Sequence, residues 1–238
     1  MMKIAILGYG KMGKVIEEIA LQRGHSIELK VNQTNLYFDI EQLSACDVAI
    51  EFSSPESAVE NISKCFEANV PVVVGTTGWY AQFNAVKEKC FSENKALLYA
   101  TNFSVGVNIF YEINKKLAAL MDANSQYDVD VEETHHTEKI DAPSGTAISI
   151  AEGIMENLER KNSWKNDVNV SENELAIQSI RTKDVPGTHV VKYESDIDVV
   201  EIKHEAKNRN GFAFGAVLAA EYIRGKKGVF TMKDVLSL

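Results

Sequence analysis

An apolar run, KIAIL at residues 3–7, leads without a spacer into Gly8-Tyr9-Gly10-Lys11-Met12-Gly13, and this GxGxxG leaves few folds open. A short apolar run bounded by glycine reads as a buried strand, and apolar positions at helical spacing continue from Lys11 to Arg23. Each glycine then has a task. Gly8 permits the tight turn, Gly10 lets the backbone approach a pyrophosphate, and Gly13 allows the helix to pack close to the strand. The first N–H groups of the helix meet the anion. The loop therefore predicts a dinucleotide site lined by Gly8, Tyr9, Gly10, Lys11, Met12 and Gly13.

The chain continues in the same rhythm, with expected strands at 26–31, 48–52, 70–74 and 96–100 and helices at 57–69 and 79–91. Short apolar runs separated by helices mark a parallel sheet with right-handed crossovers, so the fold class is α/β, a Rossmann-type doubly wound sheet. From about Ser104 the pattern changes. A long helix over 108–121 precedes YDVDVEETHH, where Tyr127, Val129 and Val131 alternate with acids, the period of a half-solvated antiparallel strand. SIRTKDVPGTHVVKYES and DIDVVEIKHEA add further strands, while RKNSWKNDVNVSENE reads as a polar surface loop. GFAFGAVLAAEYI is a small-residue, apolar helix suited to packing back on the first domain. The expected division is 1–104 with 211–238 as a nucleotide domain, and 105–210 as a second α+β domain with a mixed or antiparallel sheet.

A Rossmann site for NAD usually places an acid at the end of the second strand, about 20 residues past the glycines. Here SIELKVNQ ends on Val31, Asn32 and Gln33, with Glu28 mid-strand. Lys30, Asn32 and Gln33 tolerate a 2′-phosphate, which favours NADPH and leaves NADH open; Lys30 reads equally as a solvated strand residue. Two more loops follow expected strands at the edge where such sheets bind ligands: Gly75, Thr76 and Thr77, then Ala100, Thr101, Asn102 and Phe103. Their small and hydroxyl residues leave backbone groups open to a nicotinamide or its ribose.

Acid–base chemistry concentrates in HHTEKIDAPSGT, residues 135–146. A histidine exchanges a proton near neutral pH, and a lysine pins a carboxylate or donates a proton. Ser144, Gly145 and Thr146 open a helix whose N–H groups suit a carboxylate. His135, His136, Lys139, Gly145 and Thr146 thus describe a site for a small dicarboxylate. No cysteine or HExxH pattern lies near enough to suggest a metal. Arg181, His189, His204 and Arg209 are further basic residues whose roles stay open.

The formal charge of −9 argues against a nucleic-acid partner, because phosphate binding needs dense Lys and Arg. Cys46, Cys65 and Cys90 make an odd count without CxxC spacing and sit in apolar stretches, so buried thiols are expected. There is no leader-like start and no apolar run of membrane-spanning length, which places the protein in the cytoplasm by expectation.

Together these motifs resemble the 4-hydroxy-tetrahydrodipicolinate (dihydrodipicolinate) reductases. The resemblance runs along nearly the whole chain, through GYGKMG, DVAIEFSSP, VVVGTTGW, ATNFSVGVN, EETHHTEKIDAPSGTA, RTKDVPGTH, EIKHEAKNRNGFAFGA and MKDVL. It implies that His135 exchanges a proton, that Lys139 donates one, and that His136, Gly145 and Thr146 hold the dicarboxylate. It also implies NAD(P)H reduction within lysine and diaminopimelate synthesis, with a second domain that binds substrate and assembles a homotetramer. The glycine loop is one residue shorter than the common family form, and Asn32 replaces the usual acid. Both departures bear on cofactor preference alone. Two rivals stand at this point: another Rossmann oxidoreductase with an α+β second domain, which gives no reason for HHxxKxDAPSGT, and a cofactor-sensing regulator that binds without turnover.

Overall fold

The computed structural model describes residues 1–32 and 38–238, so Gln33, named above for the 2′-phosphate, lies outside the described residues. The chain divides into two compact units, Met1–Val105 with Arg209–Leu238, and Gly106–Asn208.

The first unit starts with β1 (Lys3–Leu7), α1 (Lys11–Gln22), β2 (Ser26–Val31), α2 (Ile40–Ser44) and β3 (Val48–Glu51). It continues with α3 (Pro55–Glu67), β4 (Val72–Val74), a 3-10 turn at Tyr80–Gln82, α4 (Phe83–Ser92) and β5 (Ala96–Tyr99). Strand alternation explains the layering. Ile4 and Ile6 of β1 point to one face, with Ile16 and Ala20 of α1, whereas Ala5 and Leu7 point to the other, with Ile62 and Phe66 of α3.

The second unit holds α5 (Val105–Asp122), whose first residue belongs to the first unit, then β6 (Asp128–His135), α6 (Gly145–Met155), β7 (Ser163–Lys165), β8 (Glu174–Arg181), β9 (Thr188–Glu194) and β10 (Val199–Glu205). Its sheet runs β10-β9-β6-β8-β7. β6 is antiparallel to β9 but parallel to β8, so the expected antiparallel strand is instead the centre of a mixed sheet. The stretch read as a polar loop contains β7, which pairs in parallel with Glu174–Ala176. Val129, Val131, Leu175, Ile177, Val191 and Tyr193 bury one face of this sheet with Ile150 and Ile154 of α6. The other face carries Asp130, Glu132, Gln178, Lys192, Glu201 and Lys203.

The chain then returns to the first unit as α7 (Asn210–Ile223), β11 (Gly228–Phe230) and α8 (Met232–Leu236). α7 packs on α1, β3 and β4, with Ala213, Ala216, Val217, Ala219, Ala220 and Ile223 fully buried. β11 pairs with β5 and completes a parallel sheet ordered β11-β5-β4-β3-β1-β2, with helices on both faces. Cys46, Cys65 and Cys90 are free and buried, and burial pushes the Cys46 thiol up to about 11. No helix among the described residues is long and apolar enough to cross a membrane.

Candidate active site

In the first unit the glycine loop leaves β1 and is stitched to β2, where Gly8 N and Tyr9 N donate to Val31 O at 3.0 and 2.6 Å. Gly8 has φ +103°, and a Cβ there would stand 2.1 Å from Phe52 O. A Cβ at Gly13 would meet Gly8 O at 2.6 Å, which is the close helix approach that the motif requires. A Cβ at Gly10 would meet nothing of the protein within 4 Å. Gly10 also heads α1 without any side-chain cap. Helix N-terminal donors over an uncovered backbone suit a pyrophosphate, so the loop fits a dinucleotide.

Beside the loop, Lys30 Nζ lies 2.5 Å from Glu17 Oε1 and 5.0 Å from the centre of the Tyr9 ring. Tyr9 Oη donates to the same Glu17 carboxylate. Lys30 is therefore a paired residue rather than a freely solvated one. Asn32 bridges at the end of β2, where an NAD-binding acid would stand.

The loops after β3, β4 and β5 meet at the same sheet edge. Gly75 N donates to Glu51 O at 2.9 Å, and a Cβ at Gly75 would lie 2.1 Å from the Phe52 ring. Thr76 is buried. Its hydroxyl accepts from Ser53 N at 2.8 Å and its carbonyl accepts from Trp79 Nε1 at 2.9 Å, so its side chain ties loops together. Thr77 and Thr101 are exposed, and Ala100 N donates to Val74 O at 3.3 Å. Asn102 Oδ1 accepts from Ser104 N at 2.9 Å, and the Phe103 ring stands 5.6 Å from that of Phe52. Beneath these loops Glu51 is fully buried, and burial pushes its carboxyl up against hydrogen bonds from Ser53, Thr76 and Asn61.

The second unit gathers the acid–base residues at the carboxyl end of β6. On that strand Val129, Val131, Glu133 and His135 all face inward. Register places Glu133 between Ser179 of β8 and His189 of β9, and His135 beside Arg181. Glu133 accepts from Ser144 N at 3.0 and 3.1 Å and from Ser179 Oγ at 2.8 Å, with Arg181 Nη2 at 3.3 Å. His135 Nδ1 lies 3.3 Å and His189 Nε2 3.8 Å from its Oε2. Burial pushes the Glu133 carboxyl up, but hydrogen bonds involving His135, Ser144 and Ser179 outweigh it and the net shift is well down. Burial, helped by His135, drives the His189 ring down to about 3.

His136 is half-buried just past the strand, with its Nδ1 enclosed and lacking a hydrogen-bond partner. Lys139 Nζ holds both Asp141 oxygens at 2.9 Å, and Arg181 Nη2 donates to Asp141 O at 2.7 Å. The Ala142–Pro143 peptide is cis. Ser144 caps α6 by accepting from Ala147 N at 3.1 Å, and a Cβ at Gly145 would find open space. His204 lies opposite His189 on β10, and Arg209 heads α7 in the other unit. Glu133 escaped the motif reading, and Arg181 and His189 were left without roles. The period of two points to Glu133, since counting on from Val129 and Val131 reaches Glu133 and His135 on the buried face, whereas Arg181 and His189 join them only through strand pairing.

Glu133, His135 and His189 bring ligand-type atoms within 4.8 Å of one another. The Arg181 guanidinium and the Ser144 N–H already engage the carboxylate, however, and a guanidinium in that position opposes a second cation.

A doubly wound parallel sheet with a glycine loop at its β1–α1 turn, followed by an α+β unit, is the build of a pyridine-nucleotide-dependent oxidoreductase. Residues 2–103 match the family model described as "Dihydrodipicolinate reductase, N-terminus" and residues 106–236 the one described as "Dihydrodipicolinate reductase, C-terminus". The chain belongs to the dihydrodipicolinate reductase family. The 4-hydroxy-tetrahydrodipicolinate reductase of Christiangramia forsetii is 50% identical over 236 residues, covering 99% of this chain and 98% of its own. Its counterpart in Rickettsia rickettsii is 34% identical over 248 residues, covering all of both chains. The solved structure of a dipicolinate-bound dihydrodipicolinate reductase from Paenisporosarcina sp. TG-14 shares the fold with a TM-score of 0.78, at 22% identity and 98% coverage of each chain.

Proposed function

We propose that this protein reduces 4-hydroxy-tetrahydrodipicolinate, with NAD(P)H and a proton, to tetrahydrodipicolinate, NAD(P)⁺ and water in lysine and diaminopimelate synthesis. The observation that carries the reading is the segment from His135 to Thr146, where two histidines and a lysine precede a capped helix start in a chain that aligns with 98% of a 4-hydroxy-tetrahydrodipicolinate reductase. The bound cofactor would supply the hydride.

The chain's own residues divide the remaining work. Gly8 to Gly13 hold the pyrophosphate, with Asn32 toward the adenosine ribose and Gly75, Thr76, Thr77, Ala100, Thr101, Asn102 and Phe103 toward the nicotinamide. His136 with the N–H groups of Gly145 and Thr146 holds substrate carboxylate. Lys139 donates a proton, and His135 accepts or returns one at its ring. Thr76 acts through loop geometry, because its hydroxyl is engaged by Ser53 N.

NADPH is the preferred donor in this reading, supported by the carboxamide of Asn32 where an acid would serve NAD, while Lys30 would have to leave Glu17 to meet a 2′-phosphate. Side-by-side turnover with the two cofactors tests it, and equal kcat/KM would remove the preference. The polar open face of the second sheet is read as a tetramer surface, which sedimentation velocity checks; a monomer at micromolar concentration would dismiss it. The reaction itself is tested by supplying substrate from an enzyme that condenses pyruvate with aspartate semialdehyde and following loss of reduced-nicotinamide absorbance. No oxidation with either cofactor would sink the assignment.

A further inference from the structure

Glu133 is a fully buried carboxylate with no part in the reaction as divided above. Burying a charge is costly unless every oxygen is matched, and here the matching is asymmetric. Oε1 faces Ser179 Oγ at 2.8 Å and Arg181 Nη2 at 3.3 Å, which hold it to β8. Ser144 N reaches both oxygens and ties the carboxylate to the start of α6. Oε2 faces imidazoles: His135 Nδ1 at 3.3 Å and His189 Nε2 at 3.8 Å.

An ionised carboxylate only accepts, so the ring nitrogen of His135 that faces it carries the hydrogen. The contact falls short of full hydrogen-bond geometry, as catalytic contacts often do before substrate is bound. With Nδ1 protonated, the lone pair sits on Nε2. That atom looks toward Gly187, where a Cβ would stand 3.0 Å from Nε2 and 3.2 Å from Cδ2. Glycine at 187 places no side chain against that nitrogen.

We propose that Glu133 is the positioning residue for His135, fixing the Nδ1–H tautomer so that Nε2 exchanges the proton, with Arg181 and Ser144 N holding the carboxylate in place. This rests on the reading of His135 as the proton-exchanging group. When Nε2 takes up a proton, the imidazolium is stabilised by the carboxylate beside Nδ1, and the proton later leaves from the same Nε2. His189 stays neutral at working pH and does not compete as a cation for Oε2.

Nitrogen NMR of histidine-labelled protein reads the tautomer without substrate, and Glu133→Gln reads its consequence. In the native protein His135 is expected with hydrogen on Nδ1 and a bare Nε2. Glu133→Gln is expected to lose that single tautomer and to lower kcat by about 10- to 100-fold with KM changed far less. Its pH profile should move the histidine limb toward acid, since among the titratable and charged groups gathered here from β6, β8, β9, β10 and the 139–141 loop (Glu133, Arg181, His189, His204, Lys139, Asp141) Glu133 is the buried carboxylate beside the His135 ring and His189 is neutral. Glu133→Asp should recover part of both. A native His135 protonated on Nε2 overturns the proposal even if no variant folds. So does a Glu133→Gln protein that is only less stable, with tautomer and pH profile unchanged, or a native tautomer that appears only after zinc is restored to chelator-treated protein. Native protein without turnover would instead fault the reaction assigned above, and the tautomer would still decide the role of Glu133.

Discussion

His189 shows how burial at one residue becomes a property of the whole chain. Its ring titrates near 6.5 when unfolded and near 3 when folded, because burial and the neighbouring His135 disfavour its charge. Between those values the unfolded ring is protonated and the folded ring is not, so unfolding takes up a proton and acid destabilises the fold. Above about pH 6.5 the ring is neutral in both states and contributes no slope. Glu133, held below its ordinary 4.5, acts in the same direction but only under that pH, and burial of His204 adds to the upper window. Urea midpoints between pH 6.5 and 4.5 should therefore fall less steeply in His189→Gln, by about one proton or roughly 1.4 kcal/mol per pH unit. An unchanged slope would contradict the buried neutral ring. Lys139 is the opposite case, a half-buried side chain whose known partner is Asp141. Lys139→Ala should lower kcat about 100-fold or more while leaving NADPH affinity within a factor of two or three, as measured by fluorescence titration. Near-native turnover would take Lys139 out of the reaction.

At the level of elements, the β1–α1 turn separates two glycines that look alike in the motif. Gly8→Ala forces a Cβ at positive φ into Phe52 O, and a cost of about 3 kcal/mol is expected in thermal or urea unfolding. Gly10→Ala meets no protein atom, so stability should stay within about 0.5 kcal/mol while the dissociation constant for reduced cofactor rises about tenfold or more. Matching losses in both variants would argue against a ligand over Gly10. The contrast also explains what the chain makes legible. β1, β3, β4 and β5 stand out because strands covered on both faces are continuous apolar runs, and α7 because small apolar residues repeat over its length. β7 and β11 are three residues each, too short for a period to register, and Ser163 and Lys165 are ordinary loop residues until Glu174–Ala176 supplies a partner. Glu133 reads as one more acid in DVDVEETHH. Its partners lie 46 and 56 residues away, and only strand register brings Ser179 and His189 to it.

For the molecule as a whole, the order of the chain matters more than any one contact. The first unit is not finished when β5 ends, because the face bearing Ile4, Ile6, Val48, Ile50, Val73 and Leu98 is closed by α7, β11 and α8 from beyond residue 208. The second unit, by contrast, has its own core, drawn from α5, α6 and the sheet of β6, β8 and β9. A chain ending at Asn208 therefore keeps every residue of the second core but leaves α1 alone on one face of the first sheet, without α7 and α8. Full burial of those six side chains contributes about 9–18 kcal/mol, so uncovering them removes an amount comparable with the whole 5–15 kcal/mol that typically holds a domain together. Hydrogen exchange on such a truncation should show protection surviving in β6, β8 and β9 and vanishing from β1, β3 and β4, with NAD(P)H binding abolished. Retained protection in β1 and β3 would mean that the sheet stands without α7. It would also mean that residues 209–238 serve something other than closing the nucleotide-binding core.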